Sequence, residues 1–269
     1  MTPPTAEPAA LLALSAQICC LGVLLQSLEV LWNWRELGPA GLLRWTTSGI
    51  ARNPAARVVR WLHRGPASRA ILLARSAAAL AGLFLPYGGV AMGCALGSLF
   101  LAQLYYNRRF FVIVSNADSM FLIVLAALAA AALPGASATL QAGALCFMAG
   151  HAAVAYFATG KNKLRAPTWR NGARLAQIMR DGGFRFAPLG AAFSRWPLIA
   201  AGSAWIVILL QLLFPLSLFL PSPVFWLFVA GGLLLHAGIA FTMGLHDFFW
   251  SFVSTYPALW FVHARLLHG

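Results

Sequence analysis

Long apolar runs recur along the whole chain, and turn residues or basic stretches separate each run from the next. A run of about 20 apolar residues can cross a bilayer as a helix, and a helix satisfies its backbone hydrogen bonds without water. The sequence therefore predicts an all-α, polytopic integral membrane helix bundle that forms a single membrane domain over residues 1–269. We expect about eight transmembrane helices, at residues 10–31, 70–85, 89–106, 112–133, 140–159, 197–220, 224–245 and 248–267.

The composition supports this class and excludes a soluble domain. Hydrophobic residues make up 61% of the chain and charged residues only 9%, whereas soluble domains average about 25% charged residues. The net charge of +13 comes from basic residues that cluster between the apolar runs. This distribution follows the positive-inside rule and favours contact with anionic lipid headgroups, not with nucleic acid. Membrane lipids are therefore predicted partners.

Two of the basic stretches are long, at residues 32–68 and 160–196, and their arginines are interleaved with tryptophans and aliphatic residues. This mixture predicts short amphipathic helices that lie in the membrane interface. In the second stretch, a single such helix is predicted after Trp169, and it ends at residues 181–183. Nearly every Lys and Arg falls in loops on one side of the predicted bundle, and the charge bias makes that side cytoplasmic. Both termini are then predicted on the opposite side.

The apolar stretch at residues 70–106 is too long for one span, because a straight helix of this length would measure about 55 Å. Pro86-Tyr87-Gly88-Gly89 is a turn signal in its middle, so two short spans are predicted. In the alternative, these residues form one re-entrant hairpin, and the orientation of the N-terminus is reversed.

A pair of lysines follows the predicted span 140–159. We expect the apolar run to end at Gly160, so that Lys161 and Lys163 lie where hydrocarbon gives way to water. Ionisable residues at membrane spans are candidates for function, because burying them is costly. A lysine in a partly dehydrated pocket can act as a base near neutral pH. The alternative is that both lysines only anchor the helix at the cytoplasmic surface.

A second polar group stands at the start of the predicted span 112–133, where Asn116, Asp118 and Ser119 follow one another closely. So many polar side chains are not expected to face lipid. They either line a polar site or cap the N-terminus of the helix.

Two histidines lie in the middle of predicted spans. They are His151 and His236, and Thr242 follows the second at helical spacing. Each histidine is either a structural hydrogen-bonding group or part of a polar cavity that also contains the lysine. The sequence contains no His-Glu-x-x-His motif and no paired carboxylates suited to hydrolysis, so we expect no metal.

The cysteines are Cys19, Cys20, Cys94 and Cys146, and all of them lie inside apolar runs without a Cys-x-x-Cys pair. They are interpreted as small buried hydrophobic residues, with no disulfide framework and no zinc site.

Three motifs resemble a known family. Tyr156-Phe157-x-x-Gly160-x-x-Lys163-Leu164 followed by Trp169-x-x-Gly172 resembles the signature of the vitamin K-dependent gamma-glutamyl carboxylase family, whose bacterial relatives share the horizontally transferred transmembrane (HTTM) domain. His236-x-Gly238-Ile239-Ala240-x-Thr242-Met243-Gly244-Leu245 is similar to a motif on the penultimate helix of that family. Asn116-x-Asp118-Ser119 is similar to a polar region of the carboxylase, with Ala117 in place of a histidine.

The resemblance implies a protein of the bacterial cytoplasmic (inner) membrane that uses a vitamin K-like quinone/quinol. In the carboxylase, the lysine that matches Lys163 deprotonates the reduced quinone, which then reacts with oxygen. Lys163 is accordingly the candidate catalytic base. The candidate quinol-binding residues are Asn116, Asp118, His151, Trp169, His236 and Thr242.

Two departures from the family change the expected activity. The chain stops at Gly269, without the large extramembrane domain of the animal enzyme, and Ala117 removes a residue associated with carboxylation. We therefore expect oxygen-dependent oxidation or epoxidation of a quinol more than gamma-carboxylation. The alternative is a non-catalytic accessory or structural subunit of a larger membrane protein complex. A transporter is disfavoured, because the halves show no inverted repeat and acidic residues are few.

Overall fold

The computed structural model describes residues 7–37, 61–63, 65–110, 115–180 and 187–268, and every regular element in these ranges is a helix. A short 3₁₀ helix (Trp34–Leu37) follows the first α-helix. The α-helices are α1 (Pro8–Trp32), α2 (Gly65–Gly82), α3 (Val90–Arg109), α4 (Asn116–Ala131), α5 (Ala138–Arg165), α6 (Pro167–Arg170), α7 (Ala173–Arg180), α8 (Ala187–Arg195), α9 (Pro197–Ser217), α10 (Ser222–Met243), α11 (His246–Val253) and α12 (Tyr256–His268).

Among the described helices, α1, α5, α9 and α10 are long and apolar enough to cross a membrane, judged by length and composition. The prediction of an all-α membrane helix bundle is therefore confirmed. The larger number of spans and the interfacial position of the amphipathic helices remain predictions.

Helices α1 and α5 lie at the centre of the bundle. Helix α1 packs against α2, α4, α5, α11 and α12, and α5 packs against α4, α9 and α12. Small residues such as Ala16, Cys20 and Ala152 are fully buried in the core of the bundle, whereas Leu198 and Leu227 are exposed on the outside. Because lipid tails are as apolar as the core, close van der Waals packing by small residues holds such helices together.

The predicted turn at Pro86-Tyr87-Gly88-Gly89 is confirmed, because α2 ends at Gly82 and α3 begins at Val90.

The prediction that the apolar helix at residues 140–159 ends at Gly160 is wrong. Helix α5 continues through Gly160 to Arg165. A Cβ atom at Gly160 would lie 2.6 Å from the backbone nitrogen of Leu212 in α9, so this glycine permits close helix packing and does not end the helix.

Helix α5 is longer than a membrane span requires, and its lysines lie near its C-terminal end. The helix has 28 residues and so measures about 42 Å, more than the ~30 Å hydrocarbon core. The helix is therefore longer than the hydrocarbon core, and Lys161 and Lys163 lie on its last turns.

The predicted span at residues 248–267 is not one helix. Helices α11 and α12 are separate, and a turn lies between them. The Ser254 hydroxyl donates to the carbonyl of Ser251, and Thr255 donates to Phe252. Pro257 then lies in the first turn of α12, where its missing amide hydrogen is tolerated.

The second basic stretch holds more helices than the single one predicted after Trp169, because α6, α7 and α8 all lie between residues 160 and 196. The predicted helix end at residues 181–183 lies outside the described residues. Most of the first basic stretch, residues 32–68, and the amphipathic helices predicted there also lie outside them.

The cysteine prediction is correct for only part of the set. Cys19 and Cys20 are buried in the core of the bundle, whereas Cys94 and Cys146 are exposed. All of them are free thiols. The exposed pair lies on helices whose outer faces are apolar, where a small thiol is as compatible with lipid as with a protein core.

Candidate functional site

Three adjoining cavities lie within the described part of the bundle. The polar cavity, of about 450 Å³, lies between α4, α5, α9, α10 and α11, and the apolar cavity, of about 420 Å³, lies between the end of α5 and helices α7 to α10. The acidic cavity, of about 310 Å³, is bordered by Glu29, Asp118 and Asp247. Phe248 borders all of them.

The side-chain nitrogen of Lys163 lies on the wall between the polar and the apolar cavity. Its Nζ donates to Oε1 of Gln211 at 3.0 Å and lies 5.0 Å from the centroid of the Trp169 ring. No carboxylate in the described ranges lies within ion-pair distance of it. Gly160 sets this geometry, since Lys163 follows it by one turn on α5 and Gln211 precedes the close contact at Leu212 on α9.

Aromatic side chains hold His236 at the wall of the polar cavity. The imidazole is 3% exposed and stacks on Phe252 at a centroid distance of 4.2 Å. Its Nε2 lies 2.9 Å from Oη of Tyr156, which lies 3.0 Å from Oη of Tyr256. Nδ1 of His236 is buried and has no hydrogen-bond partner among the described residues. This nitrogen is thus an unsatisfied buried polar atom in a residue that borders the polar cavity.

Most of the residues predicted from the sequence border the polar cavity, which is lined by Asn116, His151, Lys163 and His236. Trp169 and Thr242 border the apolar cavity, on the other side of Lys163. The Thr242 hydroxyl donates to the carbonyl of Gly238 at 2.7 Å, one turn earlier in the same helix. The structure thus brings the separate motifs of the sequence to one pair of cavities.

Asp118 lies apart from this group and borders the acidic cavity. The Ser115 amide donates to Oδ2 of Asp118 at 2.7 Å, and the Ser115 hydroxyl accepts from the backbone amide of Asp118. This reciprocal arrangement is a capping box at the start of α4. Asp118 thus takes part in the cap of α4 and also borders a cavity, so the structure does not separate the two alternatives.

A buried guanidinium lies at the centre of a polar network between the helices. Arg75 is 1% exposed. It donates to Oγ of Ser27 at 2.7 Å, to Oε1 of Gln26 at 2.6 Å and to Oε1 of Gln103. Its Cζ also lies 4.7 Å from the centroid of the Tyr106 ring. Amide and hydroxyl oxygens thus surround a cation that an apolar bundle would otherwise not tolerate.

The other end of the Gln26 amide binds two carboxylates. Its Nε2 donates to Oδ1 of Asp118 at 2.7 Å and to Oδ2 of Asp247 at 3.0 Å. A single amide thus links Arg75 to two carboxylates, and the network joins α1, α2, α3, α4 and α11. The hydrogen bonds of this network make the packing specific, although Nε of Arg75 and Oδ1 of Asp247 have no hydrogen-bond partner among the described residues.

A pair formed by His246 and Glu29 borders this network at its exposed end. Nε2 of His246 lies 2.9 Å from Oε2 of Glu29, and the hydrogen bond to Glu29 raises the pKa of His246. Burial raises the pKa of the neighbouring Asp247. The hydrogen bond between His246 and Glu29 thereby joins the first turn of α11 to α1.

The sequence did not predict the roles of Gln26, Gln103, Asp247 and Tyr156. Each of the glutamines is a polar residue inside an apolar run, which is the same signal that identified the histidines. Tyr156 carries no such signal, because tyrosine is common in apolar helices.

The described residues contain no cluster of His, Cys, Asp and Glu that could hold a metal ion. The chain matches no family model, and neither the curated proteins nor the solved structures contain a match.

Proposed function

We propose that this protein is a membrane-embedded, vitamin K-dependent carboxylase/epoxidase-like (HTTM) enzyme that oxidises a lipid quinol, with Lys163 as the base. One observation carries the proposal. The half-buried Lys163 amine lies between a polar and an apolar cavity, and no carboxylate in the described ranges keeps it charged. An amine in that position is suited to proton transfer.

The cavities have the size and chemistry that a quinol ring requires. Both volumes fall within the range of about 300–1,000 Å³ that is usual for small-molecule sites. Phe248 and Phe252 give the polar cavity aromatic walls. The imidazole of His236 also borders this cavity. Further groups able to bind ring oxygens are the side chains of Asn116, Asn162, His151 and Gln211.

The roles of the protein side chains follow from these positions. A bound quinol supplies a hydroxyl proton and the electrons of the reaction, and oxygen is the oxidant that the family resemblance implies. The neutral amine of Lys163 accepts the proton and becomes an ammonium, which Oε1 of Gln211 stabilises through the bond at 3.0 Å. Apolar walls exclude water and strengthen these electrostatic interactions.

The proposal includes a topology and a location. We place the protein in a bacterial cytoplasmic membrane with about eight spans, in which α11 and α12 cross together as the last one. Helices α7 and α8 then lie in the cytoplasmic interface, since they carry arginines beside apolar residues. This arrangement brings Lys163 close to the interface and leaves the two histidines deeper in the bundle.

Replacement of Lys163 tests the proposal. We expect Lys163→Met to lower the rate of quinol oxidation about a hundredfold or more, because general-base catalysis contributes at least that factor. The matched control is Lys161→Met, which removes the same charge from the same helix at a position that borders neither cavity. The rate is measured from ultraviolet spectra of the quinol in nanodiscs, with melting temperatures to confirm folding.

Equal rates for the wild type and a folded Lys163→Met variant would contradict the assignment of the base. The alternative, a non-catalytic subunit, predicts a different result in mild detergent. In that case the protein would co-purify with a large membrane complex, and extraction would yield no quinone.

A further inference from the structure

Lysine is rare in this chain. Of the 19 Lys and Arg residues, only Lys161 and Lys163 are lysines, and all the others are arginines. Arginine serves as well as lysine to anchor a helix at a membrane surface, but its guanidinium stays protonated and is not a nucleophile. Side-chain primary amines therefore occur only at the end of α5, where Lys163 borders two cavities.

The surroundings of Lys163 favour an amine that reacts as a nucleophile. Its Nζ has one hydrogen-bond acceptor, Oε1 of Gln211 at 3.0 Å, and no carboxylate in the described ranges lies within ion-pair distance. Desolvation of a lysine disfavours the ammonium, and proteins activate lysines in this way for reaction with carbonyl groups. Lys161 lies on the same turns of α5 but borders neither cavity, so it lacks these surroundings.

The two cavities select a ligand without charge. No arginine and no carboxylate among the described residues borders either of them. A phosphate or carboxylate group on a ligand would therefore lose its hydration and gain no partner except the amine. Phe248 and Phe252 line the polar cavity and Trp169 lines the apolar one, so the walls suit a planar aromatic ring.

We infer that Lys163 is also a covalent binding site for uncharged aldehydes, which it holds as an imine. The neutral amine adds to the carbonyl carbon, and the resulting carbinolamine loses water as the C=N bond forms. Both amine hydrogens and the carbonyl oxygen leave in that water, and no electrons are exchanged with another reactant. This chemistry goes beyond the proposed function, because it involves neither a quinol nor oxygen.

The contacts of the free amine also suit the product. A protonated imine keeps one N–H, which can donate to Oε1 of Gln211 in place of the amine. Its positive charge lies at the nitrogen, which is 5.0 Å from the centroid of the Trp169 ring. The apolar walls exclude the water that would otherwise hydrolyse the imine.

The test compares two variants that each keep one lysine, Lys161→Arg and Lys163→Arg, in nanodiscs of phosphatidylcholine, a lipid without a primary amine. Benzaldehyde is the uncharged probe, cyanoborohydride reduces the imine to a stable secondary amine, and peptide mass spectrometry quantifies the benzyl group. At neutral pH, Lys163 in the first variant should be labelled about tenfold faster than Lys161 in the second, because desolvation raises the neutral fraction of the amine. Melting temperatures confirm that both variants are folded.

Pyridoxal phosphate serves as the charged probe and should show the opposite preference, with Lys161 labelled faster. Equal labelling of the two lysines by benzaldehyde, faster labelling of Lys161, or no labelling at all would overturn the inference. Labelling of Lys163 by pyridoxal phosphate as fast as by benzaldehyde would overturn the restriction to uncharged aldehydes.

A separate measurement distinguishes this inference from the proposed function. Wild-type protein that carries the benzyl group on Lys163 should no longer oxidise a quinol. If the labelled protein keeps its full rate, the assignment of the base fails and the imine site stands. If Lys163 is not labelled but Lys163→Met still abolishes quinol oxidation, the imine site fails and the base stands.

Discussion

At the scale of single residues, Lys163 and Arg75 show two ways in which this bundle holds a cation. Arg75 is enclosed, and oxygens of Ser27, Gln26 and Gln103 accept its hydrogen bonds. Lys163 has one amide acceptor and lies beside two cavities. The first arrangement leaves no room for a ligand and is structural, whereas the second leaves the amine accessible.

Removal of Gln26 should destabilise the protein strongly. Gln26→Leu leaves Asp118 and Asp247 without their shared donor and deprives Arg75 of one acceptor. Breaking a buried charged network costs about 3–5 kcal/mol. The control is Gln17→Leu, at an exposed position of the same helix, which should unfold like the wild type. Thermal unfolding in detergent measures both, and equal melting temperatures for the two variants would show that the network adds no stability.

The contact between His246 and Glu29 should make stability depend on pH. The hydrogen bond to Glu29 raises the pKa of His246 in the folded protein. The contribution of this contact to the free energy of unfolding is therefore complete below the unfolded pKa of about 6.5. It is lost as the pH rises through the pKa of the folded state. The effect should be under about 1 kcal/mol, since both side chains are partly exposed.

Melting temperatures on both sides of neutral pH check this. The wild type should lose more stability on the alkaline side than the His246→Gln variant. Because the variant retains Asp247, the difference between the two curves reports the titration of His246 alone. Parallel curves for the two proteins would mean that the pair is not formed.

At the scale of helices, the sequence predicts helix ends that local turn residues cause, but it does not predict contacts between helices. Pro86 and the following glycines marked a turn that α2 and α3 confirm. Gly160 has the same intrinsic flexibility, yet α5 continues through it, because the glycine is required by the backbone of α9. A sequence shows that a glycine is present but does not show what lies against it.

Gly160→Ala should therefore separate α5 from α9. A Cβ atom there would lie 2.6 Å from the backbone of Leu212, and overpacking of this kind costs about 1–3 kcal/mol. The variant should also lose quinol oxidation, because Lys163 moves away from Gln211. Gly150→Ala on the same helix meets nothing within 4 Å and should gain up to about 1 kcal/mol from helix propensity. Melting temperature and activity are compared; a stable, active Gly160→Ala protein would contradict the close contact.

At the scale of the whole molecule, the charge pattern predicts which loops share a side of the membrane. Single cysteines introduced at Ala136 and Pro221 should react with an impermeant reagent in intact cells, and one at Asn171 only after permeabilisation. The native cysteines are first replaced by alanine. Labelling at residue 171 in intact cells would show that the predicted orientation is inverted.

The candidate site could be predicted in part, for a physical reason. Lys163, His151, His236 and Asn116 interrupt apolar runs, and such residues avoid lipid by facing a common interior. Their partners could not be predicted, because the contacts join distant parts of the chain: Gln26 and Asp118 are separated by 92 residues. Polarity identifies the residues that need a partner, and only the packing of the helices identifies the partner.

The enclosure of Arg75 has a consequence for the biogenesis of the protein. Helix α2 is not among the described helices apolar enough to cross a bilayer on their own, and an arginine near its middle adds about 2.5–3.5 kcal/mol to the free energy of insertion. Gln26 and Ser27 are synthesised before Arg75, and Gln103 after it. If α2 inserts as a span, as the proposed topology requires, two acceptors of the guanidinium are therefore made before it. The order of synthesis thus matches the order in which this helix can be accommodated.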